Sequence, residues 1–455
     1  MSTDSPNRPA PISPGPLPPG ARLSRERLIA TFQAYGKPRE RWRVGGEFER
    51  AVVRGDGRPV AYDDEDGIRW ILRRLSELEA GWADYEEEGK LIALIRPDSS
   101  SITLEPGGQV ELSGAPHHSL LALAREMNEN RAAMLALAEG HDLRWIACGL
   151  SPICDMDDVS WMPKGRYRVM REYLPRYGDL AHFMMKGTCS VQANFDYADE
   201  ADCARKVRLC AGIAPLTTAI FANSPLYKNQ DTGFQSYRGH VWTRTDPART
   251  GFPPGLRADY THERWVDYLL DVPMMFYKRR GEWTPAHGRS FRSYMEAGID
   301  GHFPNDEDWA LHQTSVFPEV RIKHTIEVRG ADCVGPELAL GFCAFFTGLL
   351  YSEAALDAGL ALAEAFEQEG EREQRFDMAA RLGLGGVVGG RSLASWSAEL
   401  GRIAQAGLAE VEPAALPLLE PLLAQIATGK SPAESVLDAW RRDPSPGSVL
   451  AAVAY

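Results

Sequence analysis

Short runs that alternate strictly between polar and apolar residues constrain this chain more than any other feature. The densest is Ser101 to Pro116, SITLEPGGQVELSGAP. Ser101, Thr103 and Glu105 share one side of a first run, and Gln109, Glu111 and Ser113 share one side of a second. Ile102, Leu104, Val110 and Leu112 supply the apolar sides. A period of two is that of a half-buried strand. Pro106 cannot donate to a ladder and Gly107-Gly108 permits a tight turn or bulge, so the chain bends between two carboxylates. The parity recurs in RVGGEFE, where Glu47 and Glu49 oppose Val44 and Phe48. In TCSVQANFD, Thr188, Ser190, Gln192, Asn194 and Asp196 oppose Cys189, Val191, Ala193 and Phe195. In RIKHTIEVR, read as one strand, Arg321, Lys323, Thr325, Glu327 and Arg329 oppose Ile322, Ile326 and Val328.

The plain reading of such alternation is an antiparallel sheet with one face on helices and one in water. These polar faces argue for more. They carry oxygens suited to hard cations in the first four runs and cations in the last, with little of the Lys–Glu mixture of ordinary surface. Two carboxylates about 4 Å apart repel by about 4 kcal/mol at an effective dielectric of about 20, so clustered ones need cations. Mg²⁺ is held by carboxylates together with phosphate oxygens, and Arg321, Lys323 and Arg329 would meet the remaining phosphate charge. Glu105 and Glu111 are therefore expected to hold metal. Chemistry joining Mg²⁺, a triphosphate and an acidic substrate fits; parity leaves the substrate open.

A chain of 455 residues can bury a large α+β core. Its net charge of −13 argues against nucleic acid or an anionic membrane as the main partner. Seven cysteines without CxxC spacing read as reduced, buried thiols of a cytoplasmic protein. No apolar run is long enough to span a bilayer, and no leader opens the chain. Residues 1–20, crowded with proline, read as a disordered tail. A catalytic α+β part is expected over 21–335 and a mainly helical part over 336–455, packed on it. Helices are expected over SRERLIATFQAYG, Asp66 to Leu78, His118 to Glu139, MPKGRYRVMREYL and ADEADCARKVRLCAGIAPLTTAIFA. LIALI and SITLE should form a hairpin, DLRWIACGL a buried strand, and GLGGVVGG a helix connection. Histidine spacing gives no zinc motif, and there is no GxSxG.

At these residues the chain resembles the glutamate–cysteine ligases of the plant and proteobacterial type. The matching stretches include GGEFE, SITLEPGGQVELSGAP, MPKGRYRVM, MMKGTCSVQANFD, SYRGHVWTRTDPARTG and FPEVRIKHTIEVRGAD, in family order. The resemblance implies a glutamine-synthetase-like fold, a curved antiparallel sheet forming a funnel with helices packed outside. It implies ATP-dependent joining of the L-glutamate γ-carboxylate to the L-cysteine amine through a γ-glutamyl phosphate, the first step of glutathione synthesis. It also implies Mg²⁺ at Glu47, Glu49, Glu105, Glu111, Gln192 and Glu327, with ATP contacts from Lys164, Arg166, Asn194, Arg321, Lys323 and Arg329. Arg329, Glu327 and Lys323 are the implied catalytic residues. Met185, Thr188, Arg238 and Trp242 are implied for the amino-acid pocket, and a monomer or homodimer is expected. A γ-glutamyl ligase using another amine, or a non-catalytic nucleotide-binding homologue, remains open. Glu47-Phe48-Glu49 departs from the usual Glu-His-Glu, but parity puts Phe48 on the apolar face. Tyr277 to Asp308 contains no cysteine and Ala124 stands where a plant cysteine would align, so plant-style thiol switching is not expected.

Overall fold

The computed structural model describes residues 17, 20–254, 256 and 259–455. Apart from Leu17 and Gly20, the proline-rich tail expected over 1–20 lies outside the described residues. One sheet of nine strands carries the architecture. The strands are β1 (Val44–Val53), β2 (Ala83–Glu87), β3 (Lys90–Ile95), β4 (Ser101–Leu104), β5 (Val110–Ser113), β6 (Arg144–Ile146), β7 (Ser190–Phe195), β8 (Val320–Ile322) and β9 (Ile326–Asp332). Their order is β8-β9-β7-β1-β5-β4-β3-β2, with β6 paired to the end of β1, and every pairing is antiparallel. The path is open and does not close into a barrel.

Parity decides which face is which. In β1, Val44, Phe48 and Val52 are buried while Glu47 and Glu49 lie on the opposite, partly open face. Helices cover the apolar face: Pro336–Tyr351 packs on β1 and β7, Leu120–Ala138 on β1 and β6, and Ile68–Leu78 on β3. Ile68, Ile71, Leu72 and Leu75 form the buried stripe of that last helix, at helical spacing. One hydrophobic cluster runs through strands and helices from Leu23 to Tyr455. Each fully buried Leu, Ile or Phe in it contributes about 1.5–3 kcal/mol relative to exposure. Phe48 belongs to it, as its parity predicts, with its ring against Gly46.

The Pro-Gly-Gly break is a tight turn joining β4 to β5. The Glu105 N–H donates to the Gln109 carbonyl at 2.9 Å and the Gly108 N–H to the Glu105 carbonyl at 3.0 Å. Gly108 has φ +91°, a conformation side chains rarely adopt. Gly107 is required for space, since a Cβ there would lie 2.0 Å from the Lys186 carbonyl oxygen.

Three expectations need correcting. RIKHTIEVR is a hairpin of β8 and β9 rather than one strand, turning at Lys323–Thr325, so Arg321 sits directly across from Glu327. Only Arg144–Ile146 of DLRWIACGL is strand. The long helix read into ADEADCARKVRLCAGIAPLTTAIFA is two, Glu200–Gly212 and Ala214–Ile220, the second with Pro215 in its first turn. GLGGVVGG does connect two helices, Arg372–Leu382 and Leu393–Val411, and holds the first strand of a small hairpin, Val387–Val388 with Arg391–Ser392. All seven thiols are free and buried. Among the described residues no single helix is long and apolar enough to cross a membrane.

Candidate active site

The sheet register gathers acidic side chains from separate strands on its open face. Glu49 of β1 pairs with Glu111 of β5, Glu47 with Gln192 of β7, and Asn194 of β7 with Glu327 of β9. Directly opposed residues have Cβ atoms about 4.5–5.5 Å apart, so Glu49 and Glu111 are an unfavourable like-charge pair unless something neutralises them.

The partners of these carboxylates are neutral. Glu49 accepts from the Ser190 backbone N–H at 2.6 Å and from the Gln192 amide at 3.2 Å. Glu47 accepts from the Asn194 amide at 2.8 Å, and Asn194 in turn accepts from the Thr325 hydroxyl at 2.9 Å. Glu111 accepts from the Thr103 hydroxyl at 2.8 Å. Burial, with the charges of Glu327 and Glu111, pushes the Glu47 carboxyl up to about 7. Burial, with Glu111 and Glu105, pushes Glu49 up to about 8. Glu111 is raised by burial and by Glu105.

Glu327 has the opposite surroundings. It is fully buried and accepts from Arg321 at 2.7, 3.0 and 3.1 Å. It also pairs with Lys323 at 3.0 Å and with Arg329. Burial alone would raise its pKa, but these three cations hold it well below the usual carboxylate range. Arg329 also donates to the Gln192 side-chain carbonyl. The two halves of the site thus differ in charge state: one acidic and short of cations, the other cation-rich around a single carboxylate.

A solvent-open cavity of about 90 Å³ lies beside them. Its wall takes in Glu49, Glu105, Arg166, Met185, Thr188, Arg238, Trp242 and Arg329. The remaining candidates, Glu47, Glu111, Lys164, Gln192, Asn194, Arg321, Lys323 and Glu327, are not on that wall. Lys164 donates to the Leu104 carbonyl at 2.7 Å, which the Tyr167 hydroxyl also meets at 2.6 Å, and burial lowers its pKa to about 8. The Thr188 hydroxyl is spent on the Met184 carbonyl at 2.7 Å. Arg238 and Trp242 come from one short helix, Tyr237–Thr243. The Arg238 Nε and Trp242 Nε1 atoms and the Arg166 Nε are buried donors without a hydrogen-bond partner. Their residues line the cavity, and unpartnered donors so placed suit a neighbourhood that receives a ligand rich in acceptors.

Sequence parity missed Asp332. Strict alternation from Glu327 assigns it to the apolar face, but β9 is bulged: Val328 pairs with Ala193 and Ala331 with Val191, leaving Arg329 and Gly330 together opposite Gln192. The extra residue returns Asp332 to the polar side, opposite Ser190. There it accepts from Ser224 at 2.6 Å, Ser236 at 2.8 Å and the Asn223 N–H at 2.9 Å, and lies 3.8 Å from Arg238. Gly330, inside an alternating strand, was the available signal.

As a metal site the donor set fits in kind. Glu47, Glu49, Glu105 and Glu111 are hard oxygen donors, and three of them have pKa values raised by burial and mutual repulsion. Among the described residues no three Asp, Glu, His or Cys side chains converge to hold an ion by themselves. Mg²⁺ needs only one or two carboxylates when substrate phosphates supply other ligands.

The family model of glutamate–cysteine ligase family 2 (GCS2) matches residues 43–453. The chain belongs to this family. Over 434 residues it is 37% identical to glutamate–cysteine ligase B, chloroplastic, of Oryza sativa subsp. japonica, covering 93% of this chain and 86% of the relative. Over 424 residues it is 37% identical to the chloroplastic glutamate–cysteine ligase of Brassica juncea, covering 92% and 81%. The crystal structure of the Francisella tularensis glutamate–cysteine ligase in complex with AMP is 13% identical with a TM-score of 0.55, covering 90% of this chain and 87% of that one. That likeness is one of fold. The family resemblance, the glutamine-synthetase-like α+β fold and the expectation of an enzyme of the glutamate–cysteine ligase family are borne out. The cytoplasmic expectation is corrected: the relatives named here are chloroplastic proteins, so similarity gives it no support.

Proposed function

We propose that this chain joins the γ-carboxylate of L-glutamate to the amine of L-cysteine at the expense of ATP, with Mg²⁺ at the carboxylates of the sheet. Family membership supports the reaction. The single observation that carries its location is the register pairing Glu49 with Glu111, both lifted in pKa, beside a cation cluster and a cavity. Glu47, Glu49, Glu105 and Glu111, with Gln192, would hold Mg²⁺, which when bound supplies positive charge to phosphate oxygens and to a carboxylate substrate. Glu327 belongs to the same ligand set, but its oxygens are already engaged by Arg321, Lys323 and Arg329. Its part in this arrangement is to hold those cations in place.

Arg329 lines the cavity and is anchored at Glu327 and Gln192, which suits it to stabilise the phosphoryl group during transfer to the γ-carboxylate. Lys323 adds a second cation from the same anchor. Arg166, Lys164, Arg321 and Asn194 lie around the same carboxylates and serve the nucleotide side. Arg238 offers a guanidinium fork to a substrate carboxylate, with Trp242, Met185 and Thr188 shaping the wall. The free-base amine then attacks the acyl carbon of the γ-glutamyl phosphate: its nitrogen forms the new C–N bond and gives up one proton to solvent or the departing phosphate, which leaves with the C–O electron pair.

Mass spectrometry of the mixture of enzyme, glutamate, cysteine and MgATP tests this. One γ-glutamylcysteine per ADP is expected. Faster ADP release with another amine would replace cysteine as the acceptor, and absence of ADP release with every amine would overturn the reading.

A further inference from the structure

Behind the cavity, the bulge that aims Arg329 rests on a residue outside the machinery described so far. Glu319 lies at the entry to β8, 9% exposed, and its Oε2 is buried with no hydrogen-bond donor. Its backbone is fixed at both ends: its N–H donates to the Gly251 carbonyl at 3.0 Å, and its carbonyl accepts from the Arg329 N–H at 3.0 Å. A Cβ added to Gly330 would stand 2.5 Å from Glu319 Oε2. Gly330 does not have a positive φ, so a side chain here would meet no backbone strain and would act by displacing the Glu319 carboxylate. The carboxylate fills the space that any other residue in the bulge would claim.

Charge completes the picture. The cations that bear on Glu319 are Arg238 and Arg329, and Asp332 bears on it with like charge. Arg238 itself donates to the Arg329 carbonyl at 3.0 Å, tying the amino-acid side of the cavity to the bulge. A buried carboxylate that forms no hydrogen bond at Oε2 gains little from where it sits unless its volume and field serve a neighbour. The neighbours are Arg238 and Arg329, both on the cavity wall, and the two-residue bulge that Arg329 forms with Gly330.

We propose that Glu319 is a positioning residue: its carboxylate, wedged against Gly330, holds the β9 bulge and thereby the direction of the Arg329 side chain. The inference rests on the ligase reading of the site. It makes Gly330 and Glu319 a matched pair, so their substitutions should not act independently.

A double-mutant cycle on the full chain tests it, with kcat, KM for glutamate and thermal unfolding measured for each form. Glu319→Ala should lower kcat at least tenfold, whereas Glu319→Gln, which keeps the shape, should stay within threefold of the parent. Gly330→Ala should lower kcat at least tenfold in the parent but by less than threefold in the Glu319→Ala background, where the obstructing oxygen is gone. Unfolding temperatures should move far less than kcat. Equal losses from Gly330→Ala in both backgrounds, or a Glu319→Ala form with kcat within threefold of the parent, would overturn the wedge. A parent enzyme that ligates nothing would instead sink the ligase reading, which keeps the two failures apart.

Discussion

Arg329 touches the cavity, Glu327 and Gln192 at once, whereas Arg321 and Lys323, the other two cations held on Glu327, are not on the cavity wall. Arg329→Ala should therefore lower kcat by about 10³-fold or more, while circular dichroism and the unfolding midpoint show a folded protein. Loss of fold in that variant, or turnover close to the parent, would contradict the role. Most of the residues that gather here were readable one by one. Glu47, Glu49, Glu111, Gln192, Asn194 and Glu327 follow from parity, because alternation is a local property of an extended backbone. Asp332 and Glu319 were not readable, since one depends on a bulge and the other on a packing contact with Gly330.

Strands and turns set the distances. The turn between β4 and β5 stands between Glu105 and Glu111 and packs directly on the end of helix Ala181–Gly187, where Met185 and Lys186 lie. Gly107→Ala brings a Cβ within 2.0 Å of the Lys186 carbonyl, a backbone atom that cannot rotate away. It should cost about 1–3 kcal/mol of stability, as overpacking does, read as a lower urea midpoint at unchanged slope. An unchanged midpoint would show that the turn is looser than described. The Pro-Gly-Gly signal gave this turn from sequence alone, whereas the β8–β9 hairpin was hidden inside RIKHTIEVR because Lys323–Thr325 carries neither glycine nor proline.

At the scale of the whole molecule, the metal-free protein buries carboxylates whose charge is not met. Glu47 and Glu49 move from about 4.5 to about 7 and about 8, so the folded state binds more protons than the unfolded state across that window. Their contribution is full below the unfolded value and is lost as pH rises through the folded values. Glu327 acts in the reverse sense, contributing above its unfolded value of 4.5 and losing that contribution as pH falls. Thermal unfolding with a chelator should thus peak at mildly acidic pH and fall towards about pH 8, and Mg²⁺ with nucleotide should flatten the fall. A metal-free protein whose stability climbs from about pH 5 to about pH 8 would contradict the burial of these groups. By itself the sequence determined the strand parity, the Pro-Gly-Gly turn, the buried place of Phe48 and the family, because each is written in residues close together in the chain. Only the tertiary structure decided that Glu49 faces Glu111, that three cations close on Glu327, and that a bulge turns Asp332 inward. Those facts are register and packing between strands far apart in sequence, and a one-residue slip in any of them would send the same side chains to the other face.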